Sequence, residues 1–159
     1  MSGISTKGLT ETMKMLEKIQ GNTDEIIEDA IREGIAVVTD EMRRQISSLK
    51  TSDEYETGDK MRYPSKRDVK GLLDSLGFTP VKMDGTKFDI KSGFDGYNSN
   101  VTKKYPRGHA NQMIANSINK GTSFMPAQPF INRTTKTAKA AAIDAIERKI
   151  DIEISKINK

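Results

Sequence analysis

A chain of 159 residues with no cysteine excludes disulfides, thiolate catalysis and thiolate metal sites, and is long enough to bury a core as one domain over 1–159. Its net charge is +4, with 30% charged against 35% hydrophobic residues, and no run approaches the ~20 apolar residues of a membrane span. Lys and Arg are interleaved with Asp and Glu along most of the chain, which favours a mixed soluble surface over a dedicated nucleic-acid binder. With no apolar run of signal-peptide length at the N-terminus, the cytoplasm is the expected compartment.

Ser5 or Thr6 caps a first predicted helix over about 7–20, with Leu9, Met13, Leu16 and Ile19 on one face and Gly21 as its stop. Asn22 or Thr23 caps a second over about 23–49, and Asp24 and Glu25 suit the positive end of its dipole. Ile27, Ile31, Ile35, Val38, Met42, Ile46 and Leu49 form its apolar stripe. Such a helix is roughly 40 Å long, so part of the stripe is expected to serve a partner subunit. Ala30 and Gly34 leave room there for another backbone. Periodicity then disappears, and the polar stretch from about 50 to 70, with Gly58 and Pro64, predicts a mobile loop.

Gly71-Leu-Leu-Asp-Ser-Leu76 reads as a brief apolar turn, helical in one reading, before a β-hairpin over about 77–92. Asp84-Gly85 is a two-residue hairpin signal; it pairs Met83 with Thr86, Val81 with Phe88 and Thr79 with Ile90. That register turns Val81, Met83, Phe88 and Ile90 to the core, and Lys82, Lys87, Asp89 and Lys91 to solvent. Pro80 places the first strand near a sheet edge. The expected class is α+β: a small antiparallel sheet packed by long N-terminal and C-terminal helices.

Turn formers from Phe94 to Pro106 predict an exposed loop. Beside Tyr105 and His109, its residues Lys103, Lys104 and Arg107 are the candidates for a nucleic-acid contact. Met113, Ile114 and Ile118 predict a short helix over about 110–119, with a strand as the alternative. Pro126 and Pro129 then mark a loop from Gly121 to Phe130 that opens a last helix over about 129–157. Phe124 or Phe130 is its aromatic anchor. One face of the helix carries Ile131, Thr134, Ala138 and Ala145, and the face continues through Ile143, Ile146, Ile150, Ile154 and Ile157.

No catalytic constellation accompanies these elements. His109 is the one histidine, without a companion at metal-ligand spacing, and there is no nucleophile elbow and no phosphate-cradling glycine motif. No catalytic residue, cofactor or metal ligand is assigned, and an enzyme is not expected.

Gly121-Thr122-Ser123, followed by Met125-Pro126-Ala127-Gln128-Pro129-Phe130 and an Ala-rich helix, resembles the C-terminal signature of a tailed-phage family. The family is the head–tail joining, or tail-completion, proteins of long-tailed bacteriophages and prophages. The order of elements is similar over most of the chain. Lys70-Gly71 stands where the family often has Thr-Gly, and the polar loop before it is longer, so the resemblance assigns that loop no role. It implies an α+β structural protein of the virion. Such a protein assembles in the host cytoplasm as a homo-oligomeric ring, a hexamer being one size it allows. The ring sits at the neck between the head connector and the tail tube or tail terminator, with DNA passing through it non-specifically. Gly121, Thr122, Ser123, Met125, Pro126, Pro129 and Phe130 are then the assembly candidates. No cofactor comes with the resemblance. Two readings compete with it. One is a small basic nucleic-acid-binding protein using the 101–109 loop with Lys149, Lys156 and Lys159. The other is a dimeric coiled-coil regulator using the stripe from Ile143 to Ile157, only about two heptads long.

Overall fold

The computed structural model describes residues 23–52 and 62–157. The expected helix over 7–20 and the middle of the expected mobile loop lie outside the described residues. In chain order come α1 (Thr23–Ser47), α2 (Lys66–Ser75), β1 (Leu76–Phe78), β2 (Lys82–Asp84), β3 (Lys87–Asp89), β4 (Ser92–Phe94), α3 (Asn111–Lys120) and α4 (Phe130–Ile157). The class is α+β as expected, with the long helices α1 and α4 packed on each other beside two small antiparallel ladders.

The two long helices run antiparallel. At one end Met42 and Ile46 of α1 meet Phe130 in a cluster completed by Leu72, Leu76, Ala115 and Ile118. At the other, Ile27 and Ala30 meet Ile146 and Ile150. Much of the stripe, part of which was expected to serve a partner subunit, is covered within the chain: Ile27 by α4, and Met42 and Ile46 by α2, α3 and Phe130, while Ile31 and Val38 stay half-buried. Small residues allow the approach. A Cβ on Gly34 would lie 2.6 Å from Ile146 Cγ1, 2.7 Å from its Cδ1 and 3.3 Å from the Ala142 carbonyl oxygen. Gly34→Val is accordingly expected to cost about 2 kcal/mol by overpacking, read from the urea midpoint. An unchanged midpoint would mean that the helices part freely at this crossing. Between the clusters Thr39 ties α1 to the sheet. Its hydroxyl donates to the Ile35 carbonyl at 2.8 Å and lies 3.1 Å from that of Ser92.

α2 replaces both the last residues of the expected loop and the brief apolar turn. Its start is local: the Ser65 hydroxyl oxygen accepts the Asp68 N–H at 3.1 Å and donates to the Asp68 carboxylate at 2.8 Å. Val69 and Leu72 then face the core.

The expected continuous hairpin is broken in two. β1 pairs with β4, Leu76 opposite Phe94 and Phe78 opposite Ser92. β2 pairs with β3, Met83 opposite Phe88 and Asp84 opposite Lys87. The turn is thus Gly85-Thr86, not Asp84-Gly85. An Asp84-Gly85 turn of the type that hairpins favour needs positive φ at both residues. Among the described residues none other than glycine has positive φ, and Gly85, at φ 60°, takes the first central position. Between the ladders residues 79–81 oppose only 90–91, a bulge at Pro80, which has no N–H to give. Thr79 N–H bonds the Lys91 carbonyl at 2.8 Å across it. The expected core face is consequently half used: Phe88 packs on the Ile27–Ile150 cluster, whereas Met83 stays 57% exposed.

Candidate functional site

The segment from Gly121 to Phe130 folds as one stitched turn at the start of α4. Gly121 ends α3 at φ 77° and ψ 172°, its N–H donating to the Ser117 carbonyl at 2.8 Å. Thr122 N–H then bonds Met125 O at 2.9 Å, and the return bond measures 3.4 Å, so Ser123 and Phe124 form the tip. Phe124 is 60% exposed and Phe130 fully buried, which makes Phe130 the anchor. The Phe130 ring stands edge-on to Phe94, 6.2 Å between centroids. Met125 packs against the same core, and Pro129 precedes the first helical residue.

Two side chains to which the sequence reading gave no role fasten this turn. Gln128 accepts the Lys50 N–H at 2.8 Å and donates to the Lys50 carbonyl at 3.0 Å, reproducing a backbone pair. Asn119, at the end of α3, accepts the Ile131 N–H at 3.0 Å and so caps α4. The Phe124 carbonyl also accepts the Arg62 N–H at 2.8 Å, which brings Tyr63 to the same side. Of the seven motif candidates, Gly121, Met125 and Phe130 thus serve the fold and Thr122 closes the turn. Ser123 and Pro129 are exposed and Pro126 half-buried.

Lys103, Lys104 and Arg107 are separate from this turn. They lie exposed on the loop between β4 and α3, as expected. The loop is pinned: Asn98 and His109 exchange bonds of 2.8 and 2.9 Å, and the Arg67 guanidinium reaches Ser99. Tyr105 and His109 stack at 4.1 Å, with Lys104 over the Tyr105 ring. Between α2 and this loop is a cleft of about 340 Å³, lined by Arg67, Asp74, Asp95, Asn98, Ser99 and Asn111. Asn111 donates to the Asp95 carbonyl at 2.8 Å. Its buried Oδ1 has no hydrogen-bond partner among the described residues.

Far from both, hydrogen bonds from Lys156 and Lys149 hold the Glu153 carboxyl below the usual carboxylate range. Among the described residues no group of three or more His, Cys, Asp or Glu is placed to hold a metal ion. No helix there is long and apolar enough to cross a membrane.

What fold and surface define is an α+β protein on an antiparallel helix pair, presenting a fastened turn at the start of its last helix. No protein-family model matches the chain, and no curated protein or solved structure matches it.

Proposed function

We propose that the chain is a structural protein of a phage virion, a tail-completion or head–tail joining adaptor that assembles as a ring at the neck. The observation that carries this reading is the Gly121–Phe130 turn. Its buried members root it in the core, and its tip holds Phe124 to solvent on a short, doubly bonded loop beside Tyr63. An apolar side chain displayed on a fastened turn is suited to docking on a neighbour without a large ordering cost. In this reading the ring contacts the head-side connector and the tail tube or terminator. It is assembled in the host cytoplasm, needs no cofactor and lets DNA pass through its lumen.

The test is mass by light scattering over a range of concentrations, with imaging of any discrete species. A closed oligomer with a central hole wide enough for duplex DNA is expected, a hexamer being the working size. A monomer that binds duplex DNA with a steep salt dependence would instead favour the nucleic-acid reading, for which exposed Lys103, Lys104 and Arg107 are the supporting feature.

A further inference from the structure

Charge gathered in two stretches of the sequence is set apart in space by the fold. The first three turns of α1 hold Asp24, Glu25, Glu28, Asp29 and Glu33 against a single base, Arg32, which is already paired with Glu28. Residues 92–142 hold seven Lys or Arg and one acid, Asp95. Within that stretch the first three turns of α4 present Arg133, Lys136 and Lys139, all exposed. Because α1 and α4 are antiparallel, the two groups lie at opposite ends of the helix pair.

Neither group is neutralised inside the chain. Arg133, Lys136 and Lys139 form no ion pair among the described residues, and neither do Glu25, Asp29 and Glu33. Lys149 of α4 faces Asp29 and Glu33, but its ammonium is bonded to Glu153 at 3.0 Å. The neighbouring half of α4, residues 143–157, is nearly balanced, with Asp144, Glu147, Asp151 and Glu153 against Arg148, Lys149 and Lys156, so the α1 acids leave that end acidic.

The two rows also match in shape. Glu25, Asp29 and Glu33 follow a four-residue ridge over roughly 12 Å, and Arg133, Lys136 and Lys139 a three-residue ridge over roughly 9 Å. Ridges of these two kinds interdigitate when helices cross at a shallow angle.

We propose that a second copy of this chain docks head to tail, the acidic α1 ridge of one copy on the basic α4 ridge of the next. The contact is heterologous, because the two surfaces differ and lie at opposite ends. Repeated, it closes into a ring if the rotation per copy allows. It rests on the adaptor reading and names the subunit contact of that ring. Charge of this kind sets register and association rate and is screened by salt.

The experiment is sedimentation velocity on the full chain in low and high salt, with two charge-reversed variants, Asp29→Lys with Glu33→Lys, and Lys136→Glu with Lys139→Glu. All four positions are exposed, and circular dichroism confirms that each variant folds. Wild type should self-associate at least tenfold more tightly in low salt. Each variant alone should lose that association, and equimolar mixing should restore it, since each supplies the charge the other lacks. A wild type that never self-associates, or variants that associate as it does, would overturn the contact. So would mixing that restores nothing while the Lys136→Glu, Lys139→Glu protein alone loses a duplex oligonucleotide that wild type binds; the basic ridge would then serve nucleic acid. Rings that persist in both variants would remove this contact and leave the adaptor reading standing. Restored association that yields only open chains would do the reverse.

Discussion

Phe130→Ala is expected to lower the unfolding free energy by about 3–5 kcal/mol, the range for deleting a fully buried aromatic ring. Phe130 is the largest of the fully buried side chains, closing the cluster of Met42, Ile46, Leu72 and Ile118 and meeting Phe94 edge-on. It also sits where α1, α2, α3 and β4 meet α4, so the cavity cannot be filled by the shift of one helix. Urea unfolding measures the loss, and Phe130→Leu, which keeps most of the apolar contact, should cost about half as much or less. If both variants lost less than ~1 kcal/mol, the anchor of α4 would have to lie elsewhere. The turn that displays Phe124 would then have no rigid base.

Gly121→Ala should cost about 3 kcal/mol for a different reason. With φ at 77° and ψ at 172°, Gly121 occupies backbone space that is essentially closed to other residues. A Cβ there would also stand 2.8 Å from the Ala127 nitrogen and 3.0 Å from the Met125 carbonyl oxygen. Both obstacles are backbone, so no rotamer change relieves them. The expected local signature is faster hydrogen exchange at the Gln128 N–H, which bonds the Ile118 carbonyl at 2.8 Å across the turn. Wild-type stability with unchanged exchange would show that residues 122–127 swing aside without cost. The adaptor reading would then lose its fastened turn.

These two residues show how unevenly the candidate site was legible. Phe130 was one of two candidate anchors, with Phe124, because a proline before an Ala-rich helical pattern marks a helix start; burial in the fold decided between them. Gly121 stood out as the first residue of the proline-marked loop. That Gln128 and Asn119 fasten the same turn was not legible, since their partners, Lys50 and Ile131, are fixed only once α1, α3 and α4 have docked. Residues 65–70 were misread for a nearer reason: Ser65 and Asp68 form a capping pair that a polar composition disguised as loop.

By itself the sequence determined the helices α1 and α4, the presence of a hairpin and hence the α+β class; at α3 it left helix and strand open, and the structure has the helix. Periodicity, caps and turn residues act over one or two turns, and those local preferences agree with one another here. Only the tertiary structure decided what each apolar face meets. The N-terminal half of the α1 stripe is covered by α4 because Gly34 lets the Ala142 backbone and Ile146 approach, a fit between residues more than a hundred positions apart, while its C-terminal half is covered by α2 and α3. It decided the hairpin register too, because a bulge at Pro80 and the φ of Gly85 settle which residues pair. Finally it sorted the charge. The acids gathered in residues 24–33 and the bases gathered in residues 92–142 stand at opposite ends only because the two long helices lie antiparallel, and sequence order does not fix that arrangement in space.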